Sequence, residues 1–188
     1  MRRLLGLLVL AACAEAGKSG GHGTSDASIK LDAGLPGDAT KLDAPSAVCT
    51  SNSSCAAGTS LGNVSGDTGA DMVTASGYQA AWYTVRVSED DSGPFGVKLR
   101  VTAQLISPAL ENYDVFLYVN SNTDTTECAT PSGTASTSGT TDTLSIQWGE
   151  GGTFSNGSDD GRTVSIEIRP IGTTCSAGSP WQLTVRGD

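Results

Sequence analysis

Histidine is almost absent from this chain of 188 residues: the single copy, His22, lies in a stretch of small and polar residues near the start. Lysine is nearly as scarce beyond residue 47, where only Lys98 is left. Without histidine in that region, neither a Ser-His-Asp nor a Cys-His arrangement can be assembled there. The usual nitrogen ligands of a zinc site are missing too. Cations are outnumbered, with 11 Lys and Arg against 20 Asp and Glu, a net charge of −9 and an isoelectric point near 4.4. Arg86, Lys98, Arg100, Arg162, Arg169 and Arg186 are scattered, so the chain repels phosphates and has no footprint for nucleic acid. Gly-rich stretches lie between alternating segments and open no helix, which excludes a phosphate cradle. Carboxylates are abundant. A pair such as Glu111 and Asp114 is the remaining acid-base option, of the kind glycosidases use, but acidic residues on exported domains are mostly solvated.

One long apolar run is present, Leu4 to Ala12, preceded by Arg2 and Arg3. It is too short to span a bilayer, which takes roughly 20 residues, and it has the layout of an export signal. It closes with Leu10-Ala11-Ala12-Cys13, which resembles the lipobox of bacterial lipoproteins at every position. That resemblance implies removal of residues 1–12 and acylation of Cys13, palmitate included. Two or more acyl chains anchor a protein stably to a membrane where a single chain does not. Ala14 follows the cysteine in place of the aspartate that retains similar lipoproteins at the inner membrane, so an outer-membrane location in the cell envelope is expected.

Residues 13–47 read as anchor and linker. Their composition is Gly, Ser, Ala, Asp, Lys and Pro, and a weak repeat, Lys30-Leu31-Asp32-Ala33 and Lys41-Leu42-Asp43-Ala44, marks a low-complexity spacer. A flexible chain of this length spans on the order of 30 Å.

Residues 48–188 are long enough for one domain with a core. No window has helical periodicity, whereas period-two alternation recurs. Ala81, Tyr83, Val85 and Val87 oppose Trp82, Thr84 and Arg86; Val97, Leu99, Val101, Ala103 and Leu105 oppose Lys98, Arg100, Thr102 and Gln104. Leu144, Ile146 and Trp148 repeat the pattern, as do Val164, Ile166 and Ile168, then Trp181, Leu183 and Val185. Tyr113, Val115, Leu117 and Val119 form a strand that is apolar on its other face as well, through Phe116 and Tyr118. Short strands with Gly, Ser, Asp and Pro loops, and no insert of helix length, predict an all-β fold, an antiparallel two-sheet sandwich, with a barrel as the alternative.

The succession Leu61 to Gly66, Ala81 to Val87, Asn112 to Val119, Val164 to Arg169 and Trp181 to Val185 resembles the bacterial pre-peptidase C-terminal domain. The resemblance implies a β-sandwich of jelly-roll type, appended in that family to secreted proteases and other exported proteins. No peptidase precedes the domain in this sequence.

Cys49, Cys55, Cys128 and Cys175 form an even set, read in an exported chain as disulfides. The expected pairing is Cys49 with Cys55 at the domain entrance and Cys128 with Cys175 between loops. Two features offer binding. Asn156 to Gly161 is a loop of oxygen donors in which Asp159 and Asp160 are weak candidates for calcium; no other cofactor is expected. Trp82, Phe116 and Tyr118 lie opposite their strands' apolar sets, the placement of a platform for a protein or polysaccharide, unless loops or the Cys49 segment cover them. The sequence therefore predicts a lipid-anchored, non-catalytic envelope protein that binds a protein or polysaccharide partner. A structural envelope component without a specific ligand is the alternative, and an accessory domain to a secreted hydrolase the third reading.

Overall fold

A computed structural model of the chain describes residues 49–188 apart from 52, 70, 92, 154–156, 173–174 and 176–177. The export signal, Cys13, the linker and Val48 lie outside the described residues. A 3₁₀ turn, Cys55–Ala57, precedes eleven strands: β1 (Thr59–Ser65), β2 (Met72–Gly77), β3 (Ala81–Ser88), β4 (Phe95–Gly96), β5 (Leu99–Ile106), β6 (Tyr113–Tyr118), β7 (Gly133–Ala135), β8 (Thr141–Trp148), β9 (Gly152–Thr153), β10 (Arg162–Pro170) and β11 (Trp181–Gly187).

The strands form two layers. One sheet has the order β1-β3-β10-β6-β7 and the other β2-β11-β5-β8, while β4 and β9 make a small ribbon of their own. The alternating sets read from the sequence supply the buried surface between the layers. Val85, Val87, Val115, Leu117, Val164, Ile166 and Ile168 from one sheet meet Leu99, Val101, Ala103, Leu105, Leu183 and Val185 from the other, all essentially inaccessible to solvent. Trp148 and Trp181 belong to the same core. The period-two pattern is thus satisfied by one buried and one wetter face per strand.

Three expectations change. The ladders are antiparallel except one, because β1 runs parallel to β3. After β1 the chain crosses to the opposite sheet as β2 and returns as β3, and two reversals restore the original direction. The β1 ladder also shifts register between Ser60 and Asn63, where Gly62 takes φ 102° in the left-handed region that glycine occupies without strain. Second, Val97 is 45% exposed and outside β5, since the chain there leaves β4, which pairs Phe95 and Gly96 with Thr153 and Gly152. Third, the cysteines pair differently. Cys49 bonds Cys175 with their Cα atoms 5.2 Å apart, and Cys55 bonds Cys128 at 5.9 Å. The expected Cys128–Cys175 link assumed that the loop after β6 meets the loop before β11. Those strands sit in different sheets, and the 3₁₀ turn carrying Cys55 reaches the loop after β6 first.

Candidate functional site: the outer face of the five-stranded sheet

The register places Trp82 of β3 and Phe116 of β6 on either side of Glu167 of β10, in one row across the outer face. Tyr118 and Arg169 flank that row. The Trp82 and Tyr118 rings lie with centroids 5.2 Å apart and planes inclined at 39°, within the range of favourable offset aromatic contacts. The Arg169 guanidinium carbon sits 4.1 Å from the centroid of Phe116, a cation–π contact. Arg169 also donates to both oxygens of Glu167, Nη2 at 2.6 Å to Oε2 and Nε at 3.2 Å to Oε1. Tyr118 donates its hydroxyl to the same Oε2 at 2.6 Å. Glu167 thereby holds a phenol and a guanidinium in fixed positions between two aromatic rings.

Exposure differs among the three aromatic candidates. Trp82 and Phe116 are half-buried and Tyr118 is only 4% exposed, so Tyr118 is a floor of the patch. Tyr118 lies beneath the Trp82 ring and against Glu167, and the segment before β1 holds the Trp82 backbone. Ser53 accepts from the Trp82 backbone N–H at 2.9 Å and donates to its carbonyl at 3.2 Å, satisfying the β3 backbone just beyond the first β1 pair, Thr59 with Tyr83. The Cys55–Cys128 bridge then ties the 3₁₀ turn to the loop after β6. Trp82 and Phe116 remain the accessible aromatic surface.

Burial and the hydrogen bond to Glu167 push the Tyr118 hydroxyl up to about 12 from its ordinary 10.0, with Arg169 opposing the shift. Arg169 is raised as well, its bond to Glu167 being the main cause. Because the Tyr118 proton is held more tightly in the folded chain, its contribution to stability is complete below pH 10 and is lost as pH rises from 10 toward 12. In a spectrophotometric titration, tyrosinate absorbance developing near pH 12 should shrink in Tyr118→Phe, leaving that of Tyr83, which burial also raises; an unchanged last phase would contradict the Tyr118–Glu167 bond.

The sequence did not join Glu167 and Arg169 to the aromatic set. Their alternation with Ile166 and Ile168 marks them as outward-facing, but only the register of β10 against both neighbours brings them beside Trp82 and Phe116.

Asp159 and Asp160 occupy the turn entering β10, where their oxygens serve the protein itself. Asp160 Oδ2 accepts from the Glu150 N–H at 2.8 Å, its Oδ1 lies 3.4 Å from Arg162 Nη2, and its carbonyl accepts from Trp148 Nε1 at 2.8 Å. Asp159 Oδ1 accepts from the Gly161 N–H at 2.7 Å. Among the described residues no group of three or more His, Cys, Asp or Glu side chains is placed to hold a metal ion. Glu111 is half-buried just before β6, and Asp114 is buried near its start; the Asp114 carboxyl is raised by burial first and by Asp142 second, with Arg169 opposing.

The outer face of the other sheet carries a cavity of ≈ 70 Å³ lined by Thr102, Gln104, Thr143, Thr184 and Arg186. Small-molecule sites are several times larger, on the order of 300–1,000 Å³, so this one has room for water only.

No protein-family model matches the chain, and no curated protein matches it. Among solved structures it is similar to the pre-peptidase C-terminal domain of a collagenase from Bacillus anthracis, with a TM-score of 0.37 and 7% identity over 69% of this chain and 94% of that one. A likeness this distant carries no argument about activity, and the sandwich rests on the strand registers of the chain itself.

Proposed function

We propose that this protein is a lipid-anchored, non-catalytic component of the bacterial cell envelope, held in the outer membrane through Cys13, whose β-sandwich binds a protein or polysaccharide through the outer face of its five-stranded sheet. The observation that carries the binding reading is the row Trp82, Glu167 and Phe116 with Arg169 stacked on Phe116. Aromatic and arginine side chains are the residues that most often dominate binding surfaces, and here a bidentate ion pair pre-orients them, which lowers the ordering cost of association. The non-catalytic reading draws on the histidine-free sequence beyond residue 47 and on a buried Asp114 that faces Asp142.

A structural role without a specific ligand is the second reading. It is favoured by the burial of Tyr118 and by the satisfaction of Glu167 within the sheet. Tryptophan fluorescence separates the two. Trp148 and Trp181 are buried, so red-shifted emission that responds to envelope polysaccharide and vanishes in Trp82→Phe supports binding. Emission indifferent to every envelope fraction supports the structural role. Anchoring has its own test: radiolabelled palmitate enters the wild type and not Cys13→Ser, and label in both would refute it. Recovery in inner-membrane vesicles would refute the proposed membrane.

A further inference from the structure

At one end of the sandwich, the start of β6 meets the connection between β7 and β8. Asn112 directly precedes β6, Asp114 is the second residue of β6, and Asp142 is the second residue of β8. Thr137 links them. Its carbonyl accepts from Asn112 Nδ2 at 3.0 Å, while its N–H and Oγ1 donate to Asp142 Oδ1 at 3.0 and 2.7 Å. The Thr137 donors are spent on Asp142 Oδ1, and three acceptors are left over. Asn112 Oδ1, Asp114 Oδ1 and Asp142 Oδ2 are buried and have no hydrogen-bond partner. Asp114 is 5% and Asp142 1% exposed, and their carboxylates interact electrostatically.

This arrangement is costly as it stands. A buried carboxylate oxygen without a donor forfeits its hydration, and two like charges in one poorly solvated region raise the cost further. The nearby cation, Arg169, is committed to both oxygens of Glu167 and to the Phe116 ring. By contrast, Asp67 accepts from the N–H groups of Asp90 and Asp91 and from the Ser65 hydroxyl, so the fold does satisfy its carboxylates elsewhere. What the Asp114–Asp142 end lacks is positive charge that accepts oxygen ligands only.

We propose that Asn112, Asp114 and Asp142 together bind a calcium ion. All three offer hard oxygen donors, the ligand type calcium takes, and calcium's flexible 6–8-fold geometry tolerates a set completed by other oxygens. Its two charges match the two carboxylates. The site is distinct from the Asp159–Asp160 turn, whose oxygens are already engaged.

The test is calorimetric titration and thermal melting of the full chain, stripped with EGTA and then given CaCl₂. The wild type should bind one calcium per chain and melt about 5 °C higher in millimolar calcium. Asp142→Asn and Asp114→Asn should each lose both effects, whereas Asp159→Asn and Asp160→Asn should keep them. Asp114→Asn should also melt above the wild type in EGTA, because a repelling charge has gone, and it carries the test should Asp142→Asn fail to fold. A wild type that ignores calcium would overturn the proposal, as would a calcium response that survives in Asp114→Asn.

Discussion

Replacing Cys49 and Cys175 together by serine is expected to lower the free energy of unfolding by about 5 kcal/mol. The bridge spans 126 positions of sequence, so its removal frees nearly the whole domain in the unfolded chain. In the chain-entropy view the effect grows with the logarithm of the loop, reaching ~4.7 kcal/mol for about 100 residues. Cys175 is also part of the buried core, and the serine hydroxyl put in its place would lack that apolar contact. The second bridge, Cys55–Cys128, closes 73 positions and should cost slightly less, on the order of 4 kcal/mol. Urea unfolding of the two double variants measures both. Strand content by circular dichroism should be unchanged in the folded baseline, since the ladders do not depend on either bridge. Non-reduced peptide mapping gives an independent answer: Cys49 joined to Cys55 would contradict the structure.

Trp181→Ala should cost about 4 kcal/mol, the usual size for truncating a core aromatic. Trp181 is 1% exposed at the start of β11, meets Tyr83 edge-on with ring centroids 6.0 Å apart, and donates its indole N–H to the Gln79 carbonyl at 3.0 Å. The indole lies against Gly77 so closely that a Cβ there would come within 2.5 Å of Cζ2. The ring therefore bridges the two sheets, and its loss leaves a cavity together with an unsatisfied carbonyl. Trp181→Phe should recover roughly half of the loss by refilling the space without the hydrogen bond. A thermal melt reads the difference, with a fall of about 12 °C for the alanine variant in a domain of this size. A fall below about 3 °C would mean that the ring is not in the core.

How far this structure was legible in advance follows from what each feature depends on. Strands β3, β5, β8, β10 and β11 announce themselves through alternating apolar residues, because each buries one face. Strand β2 does not: Thr74, Ser76 and Gly77 are small, and an edge position leaves the strand only half-buried. Strand β7 is three residues long, and its Gly133 is needed where Leu144 and Ile146 leave no room for a side chain. The placement of Trp82 and Phe116 opposite their strands' apolar sets is a local property that alternation alone makes legible. Their union with Glu167 and Arg169, the cysteine partners, and the parallel β1–β3 ladder all depend on which strands become neighbours, and single-strand periodicity is blind to that. Asp142 had left a signal. It continues the inward phase of Leu144, Ile146 and Trp148, where an acidic residue asks for an explanation.

Whether the Trp82 face is a binding surface is decided by co-sedimentation of the full chain with purified, protein-containing and protein-stripped envelope preparations, using Cys13→Ser throughout so that no acyl chain contributes. The Cys13→Ser chain should sediment with at least one preparation, and adding Trp82→Ala and Phe116→Ala should weaken the affinity by about tenfold, the loss of two partly buried aromatic contacts at roughly 0.7 kcal/mol each. Equal sedimentation of the chain with and without both aromatic rings would show that this face binds nothing.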